Sequence, residues 1–242
     1  MRATVRERLP GVPYAFLSEL RPGETAGVEA VLLGSMVREG AGWDPRASPR
    51  LRFVQRIFAG VDDLPFDRFP PEVAVAGNVG GYSPFVAEHA VALALACARC
   101  VLDGQAAVAS GRMRPLPELR SLWQESAVIL GYGAIGRAIA ERLRPYEMRL
   151  SGVSRSGAAV PGLERTWPAD RLAEAVTGVG YVFDARPLTR ATRGSLDART
   201  FAAMREDATF VNVGRGGTVD EDALYRHLEA HPRFRAGIDV WW

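Results

Sequence analysis

The sequence predicts an α/β protein in which a doubly wound parallel sheet of the Rossmann type is joined to a smaller flavodoxin-like α/β domain. Three observations carry that expectation. From Ser126 onward, short apolar runs alternate with segments of helical periodicity, the rhythm of strands connected by crossover helices. Gly131-Tyr132-Gly133-Ala134-Ile135-Gly136 follows the first of those runs and opens the first of those helices. A long alanine-rich stretch near the middle of the chain separates this region from a first third that has strand-like runs of its own.

In chain order, the expected strands of the smaller domain are residues 14–17, 30–33, 53–57 and 73–76, each bounded by Pro, Gly or Asp. A helix over residues 84–99 follows, with Ser83 as its N-cap and Pro84 in its first turn, where a missing N–H costs nothing. The larger sheet is expected from strands at 127–130, 149–153, 181–185, 209–213 and 236–240. The helix over 135–144 sets Ile135, Ala138, Ile139 and Leu143 on one face and stops at Pro145. The domains are placed at residues 1–83 and 84–242.

Composition narrows the function. The chain has 242 residues, 48% hydrophobic and 24% charged, enough apolar material for a packed core and incompatible with disorder. All thirty basic residues are arginine, so Schiff-base chemistry and the P-loop lysine are excluded. A formal charge of +2 with interspersed signs gives no case for a nucleic-acid partner. No apolar run approaches the roughly 18 residues that span a bilayer and no signal core follows Met1, so no membrane partner and a cytoplasmic location are expected. Cys97 and Cys100 form a C-x-x-C, but with no further cysteine and inside a helical stretch they are read as packing residues, and no metal site is expected. His227 and His231, spaced i, i+4 before Pro232, are expected to face solvent.

The glycine motif supplies the first chemistry. Gly131 permits a tight turn, Gly133 lets backbone approach a pyrophosphate, and Gly136 lets helix and strand close together, leaving the amides around Ala134 and Ile135 to hold phosphates. Cofactor choice is read at the end of the next strand, where an Asp or Glu selects NAD. Ser154-Arg155-Ser156 stands there instead, a guanidinium between two hydroxyls that suits the 2′-phosphate of NADP, with NAD as the alternative.

Further motifs carry a family resemblance. Pro187-Leu188-Thr189, Thr192-Arg193-Gly194, the run from Val211 through Asn212, Val213, Gly214 and Arg215 to Gly216-Gly217, then Val219-Asp220-Glu221 and Gly237-Ile238-Asp239-Val240, fall in one order and spacing. With the glycine motif, and upstream Ala59-Gly60-Val61-Asp62, Asn78-Val79-Gly80-Gly81 and Val86-Ala87-Glu88-His89-Ala90, they resemble the D-isomer-specific 2-hydroxyacid dehydrogenases, of the glyoxylate or hydroxypyruvate reductase type. The resemblance runs from about Leu51 to Trp242. It implies hydride transfer between a nicotinamide dinucleotide and a small 2-oxo or 2-hydroxy acid bound between a substrate domain and the dinucleotide domain, in a homodimer.

Residue by residue, the resemblance makes Arg215 the catalytic arginine. A guanidinium can meet a carboxylate and a ketone oxygen with forked donors and stabilise developing alkoxide charge. It makes Val79 and Gly80 the substrate-carboxylate loop, Pro187 and Thr189 the loop over the cofactor, Thr192, Val213 and Gly214 further cofactor contacts, and Asp239 the acceptor for the nicotinamide carboxamide. His89 falls on a helix position used for packing. The glutamate and histidine that follow the Asp-Val strand in such enzymes have no counterpart up to Trp242, so the chain is expected to be C-terminally incomplete. The alternatives are a formate dehydrogenase-like enzyme and a dinucleotide-sensing interaction module without catalysis.

Overall fold

The computed structural model describes residues 7–8, 10–21, 23–34, 43–111, 115 and 117–242. It divides into two compact units, residues 1–78 and 79–242, a division five residues ahead of Ser83.

In the first unit three parallel strands, β1 (Ala30–Leu33), β2 (Phe53–Arg56) and β3 (Ala74–Ala76), pair in that order. Val31, Leu33, Val54, Trp43, Leu51, Leu64 and Phe69 bury a small core beside them. Residues 14–17 are not the strand that their apolar character suggests: Leu17–Glu19 is a 3-10 turn. Pro13 has no amide to give a ladder and Tyr14 is partly exposed.

The second unit is a six-stranded sheet of β4 (Ser126–Leu130), β5 (Arg149–Ser154), β6 (Arg165–Pro168), β7 (Tyr181–Asp184), β8 (Thr209–Asn212) and β9 (Arg235–Ile238). All pairings are parallel and the spatial order is β6-β5-β4-β7-β8-β9. The chain leaves β4 toward one edge through β5 and β6, then returns to its other side with β7. The point where the order reverses lies at the C-terminal end of β4, where open α/β sheets bind ligands. β6 has no counterpart among the expected strands; its four residues, Arg-Thr-Trp-Pro, form a short edge strand ending on proline, too brief to read as periodic.

Helices cover both faces. Ala127, Ile129, Tyr181, Phe183 and Val211 point to one side, where α1 (Ser83–Ala98) and α3 (Ala134–Leu143) pack. Val128, Leu130, Val182 and Phe210 point to the other, under α4 (Leu172–Val176), α5 (Ala198–Ala202) and α6 (Glu221–Ala230). Because strand side chains alternate, a strand buried on both faces reads as a continuous apolar run, as Ala127 to Leu130 does. Each fully buried Val, Leu, Ile or Phe contributes about 1.5–3 kcal/mol. Ala87, Ala90, Ala94 and Ala98 form the buried stripe of α1, and their small size lets it lie close to α3.

Local details differ from expectation. Tyr82 is the N-cap residue of α1, with Ser83 inside the first turn and buried. The Cys97 to Cys100 segment is not continuous helix: Cys100 takes φ +50° and separates α1 from α2 (Val101–Ala109). Among the described residues no single helix is long and apolar enough to cross a membrane; α1 and α2 together reach that length but are bent by 62° at the break.

Candidate functional site

The residues singled out in the second unit's sequence converge on the C-terminal ends of β4, β5, β7, β8 and β9. The glycine turn leads from β4 into α3, and its backbone is tied to the neighbouring strand, since the amides of Gly131 and Tyr132 both donate to the Val153 carbonyl at 3.0 and 3.1 Å. Gly131 takes φ +91°, and a Cβ there would stand 2.8 Å from Arg186 Cγ. At Gly136 a Cβ would lie 2.3 Å from the Gly131 carbonyl oxygen, so this glycine is required for helix and turn to close. Gly133 differs: no atom lies within 4 Å of a Cβ placed on it.

That contrast tests the fit of a dinucleotide. Two glycines are demanded by the protein's own packing, whereas Gly133 opens onto free space beside the start of α3. Gly133 is the N-cap position, and no side chain caps the helix there. The first-turn amides, including those of Ala134 and Ile135, are therefore left to an external acceptor, and the positive end of the helix dipole favours an anion. A pyrophosphate fits.

The loop after β5 stands next to this turn. Ser154 Oγ accepts the Gly157 amide at 3.1 Å, and Ser156 Oγ accepts that of Ala158 at 3.3 Å. Between them Arg155 is exposed and has no hydrogen bond or ion pair among the described residues. No carboxylate among the described residues pairs with its charge.

After β7 the chain makes a stiff loop. Thr192 Oγ1 donates to the Pro187 carbonyl at 2.7 Å and accepts the Thr189 amide at 2.8 Å, while the Thr192 amide donates to Thr189 Oγ1 at 3.2 Å. After β8, Val213 is buried and its amide donates to the Asp184 carbonyl at 3.0 Å. Gly214 passes so close to the β7 loop that a Cβ would meet the Arg186 carbonyl oxygen at 2.6 Å. The neighbouring Asn212 is buried and organises the next residue: its Oδ1 accepts the Gly214 amide at 3.0 Å, and its Nδ2 donates to the Arg215 carbonyl at 3.1 Å. Arg215 is half-buried, and its guanidinium donates to the Gly214 carbonyl at 2.8 Å. Gly216 lies against the backbone of Trp241, where a Cβ would come within 2.3 Å of the carbonyl oxygen.

Asp239 follows β9, its amide donating to the Asn212 carbonyl at 3.0 Å. Its carboxylate lies 3.2 Å from His89 Nε2 on α1, with both side chains partly exposed. This corrects the expected packing role of His89: the side chain turns outward and pairs with Asp239. Val79 and Gly80 lie on the turn before α1, where Val79 is exposed and Gly80 takes φ +99°, a conformation that favours glycine.

Other readings are also corrected. His227 is 8% exposed rather than solvent-facing, its ring set between Phe201, Phe234 and His231. His231 is half-buried. No cluster of three His, Cys, Asp or Glu able to hold a metal ion occurs among the described residues. Sequence reasoning passed over Asp184, Arg186 and Thr218, which form a buried polar network beneath the β7 and β8 loops. Their available signal was a charged pair, Asp-Ala-Arg, at the end of a wholly apolar strand.

Sheet order, glycine turn and uncapped helix together define a dinucleotide-binding α/β domain. Residues 91–242 match the family model described as the NAD binding domain of D-isomer specific 2-hydroxyacid dehydrogenase, and the chain belongs to that family. It is similar to the glyoxylate reductase of Pyrococcus furiosus, 30% identical over 80% of this chain and 60% of that protein. Similarity to the hydroxypyruvate reductase of Thermotoga maritima is 26% over 81% of this chain and 63% of that one. The chain thus spans less than two thirds of the length of these curated relatives. Among solved structures, a D-isomer specific 2-hydroxyacid dehydrogenase from Xanthobacter autotrophicus Py2 in complex with NADPH and MES is 26% identical, with a TM-score of 0.79 over 99% of this chain and 76% of that one.

Proposed function

We propose that this chain carries the dinucleotide-binding and arginine-bearing parts of a reductase that interconverts a small 2-oxo acid, of the glyoxylate or hydroxypyruvate type, and its 2-hydroxy acid. The observation that carries the reading is Arg215, presented by a turn that buried Asn212 ties down, on the same sheet edge as the open glycine turn. A bound nicotinamide dinucleotide would supply or accept the hydride. Gly131, Gly133 and Gly136 shape the pyrophosphate cradle, with the amides around Ala134 and Ile135 as donors; Pro187, Thr192, Val213 and Gly214 form the adjoining walls. Arg215 orients the substrate carboxylate and carbonyl and stabilises negative charge as it grows on oxygen. Val79 and Gly80 offer backbone amides to the carboxylate, and Asp239 accepts from the carboxamide.

Arg155, exposed and without a carboxylate partner among the described residues, supports NADP over NAD. The reading further takes residues 1–83 as part of the substrate domain and residues 84–242 as the dinucleotide domain. It includes a homodimer, supported by the apolar surface of α2, which buries none of its own residues.

The test is Arg215→Lys in the full chain, assayed by NADPH oxidation with glyoxylate and hydroxypyruvate. The substitution keeps the charge and loses the fork, so kcat/KM should fall by about 10²–10³ while the NADPH dissociation constant stays within about twofold. A near-wild-type kcat/KM would remove Arg215 from the substrate site. Turnover of formate instead would favour the formate dehydrogenase-like alternative, and dinucleotide binding with no turnover on any of these acids would favour a sensing module.

A further inference from the structure

Asp184 ends β7 fully buried, and Arg186, 6% exposed, folds back on it. The guanidinium grips the carboxylate at two points, Nε to Oδ1 at 2.8 Å and Nη2 to Oδ2 at 2.9 Å, and the Arg186 amide donates to Oδ1 at 3.1 Å. Arg186 Nη1 also donates to Ser195 Oγ at 2.9 Å, at the far end of the threonine-tied loop. Thr218 Oγ1 completes the network. It stands 2.8 Å from Asp184 Oδ2 and 2.8 Å from the Arg215 carbonyl oxygen, so its single proton lies between a buried carboxylate and the backbone of Arg215. The Arg215 carbonyl receives the Thr218 amide at 3.2 Å as well.

We propose that Asp184, Arg186 and Thr218 are positioning residues for Arg215, with Thr218 as the link through which the buried ion pair holds the arginine's turn in one pose. The inference rests on the reading of Arg215 as the substrate anchor. Its physical basis is cost. A buried carboxylate and guanidinium are costly to desolvate and are tolerated only with their hydrogen bonds complete, so this network has one acceptable geometry. Arg186 is also wedged between the two loops of the site: its Cγ blocks a Cβ at Gly131, and its backbone blocks one at Gly214. The rigid element therefore references the Arg215 turn to the glycine turn. A guanidinium that must meet two substrate oxygens at once gains most from such pre-organisation.

Asp184 and Arg186 are poor targets, because removing either leaves an uncompensated buried charge and threatens the fold. Thr218→Val is the informative variant: it keeps the shape, removes the hydroxyl and leaves the ion pair intact. In the full chain, kcat/KM for glyoxylate should fall about tenfold and the inhibition constant for oxalate should rise by a similar factor, with the NADPH dissociation constant unchanged. Amide hydrogen exchange at Gly214, Thr218 and Val219 should quicken about tenfold while the rest of the sheet stays protected. Thr218→Ser, which restores the hydroxyl, should recover most of the loss.

A purely structural threonine would lower Tm and leave KM, oxalate inhibition and local exchange unmoved, and that result overturns the proposal. Arg215→Lys, run in parallel, separates the two ideas. If it loses activity and Thr218→Val does not, Arg215 is in the site and the network does not position it. If Arg215→Lys is at wild-type level, the substrate-anchor reading has failed. The exchange data then decide alone whether Thr218 holds the turn, unchanged protection counting against it.

Discussion

Arg155 and Arg215 both stand on loops at the C-terminal edge of one sheet, and their surroundings differ in the way that the tasks proposed for them require. Arg215 emerges from a turn tied by Asn212 and Thr218, which suits a residue that must meet its ligand at a fixed angle. Arg155 lies exposed on the β5 loop with hydroxyls on either side, which suits a peripheral phosphate that needs charge more than exact direction. On the proposed NADP reading, replacing Arg155 with Asp exchanges attraction for repulsion at the 2′-phosphate alone. The NADPH dissociation constant should rise by about 10- to 100-fold while that of NADH changes by less than about threefold, measured by fluorescence titration. Equal affinity for both dinucleotides in the wild type would refute the NADP preference.

At the scale of elements, α6 shows how a helix can carry a titratable group without exposing it. Asp220 caps its first turn, accepting the Ala223 amide at 3.0 Å, and His227 turns inward against Phe201 of α5 and Phe234. His227 Nε2 finds no hydrogen-bond partner among the described residues, and burial, followed by the charge of His231, pushes its pKa below the ordinary value of 6.5. Unfolding restores the ordinary affinity for a proton, so the unfolded chain binds more protons in the acid range. This contribution to stability is intact above pH 6.5 and is lost as pH falls through the lower folded value. The Tm of the wild type should therefore drop between about pH 7.5 and about pH 5.5 more steeply than that of His227→Gln, followed by circular dichroism. Equal slopes would mean that His227 is not the group responsible.

For the whole molecule, the notable surface is α2. Val101, Leu102 and Val108 are each more than half exposed, and the helix contributes nothing to the core of its own chain. An apolar helix that stands off its own fold is the kind of surface that a second copy covers in a homodimer. Leu102, at 77% exposure, makes no demand on the fold of a single chain. Leu102→Glu should shift sedimentation velocity from dimer to monomer while leaving the far-ultraviolet circular dichroism unchanged. A wild-type monomer at micromolar concentration would argue against the dimer.

The sequence alone was sufficient for the doubly wound sheet, because a strand buried on both faces must be apolar throughout and a crossover helix must be apolar on one, and both patterns survive in one dimension at Ala127 to Leu130 and Ile135 to Leu143. It was also sufficient for the glycine turn, whose residue type answers a local demand: Gly131 needs its left-handed φ, and Gly136 needs the absence of a Cβ. It did not disclose the short strand β6 or the inward turn of His227, since both depend on neighbours brought in from distant parts of the chain. Nor could spacing show that His89 and Asp239 meet, or that Asp184, Arg186, Ser195, Thr218 and Arg215 share one network whose ends, Asp184 and Thr218, lie 34 positions apart. The network exists because β7 and β8 are paired in the sheet, with Asp184 opposite Asn212, and that register sets the two loops side by side. Residue types can be read from a sequence where the requirement is local; which polar groups complete one another is decided only when the strands have paired.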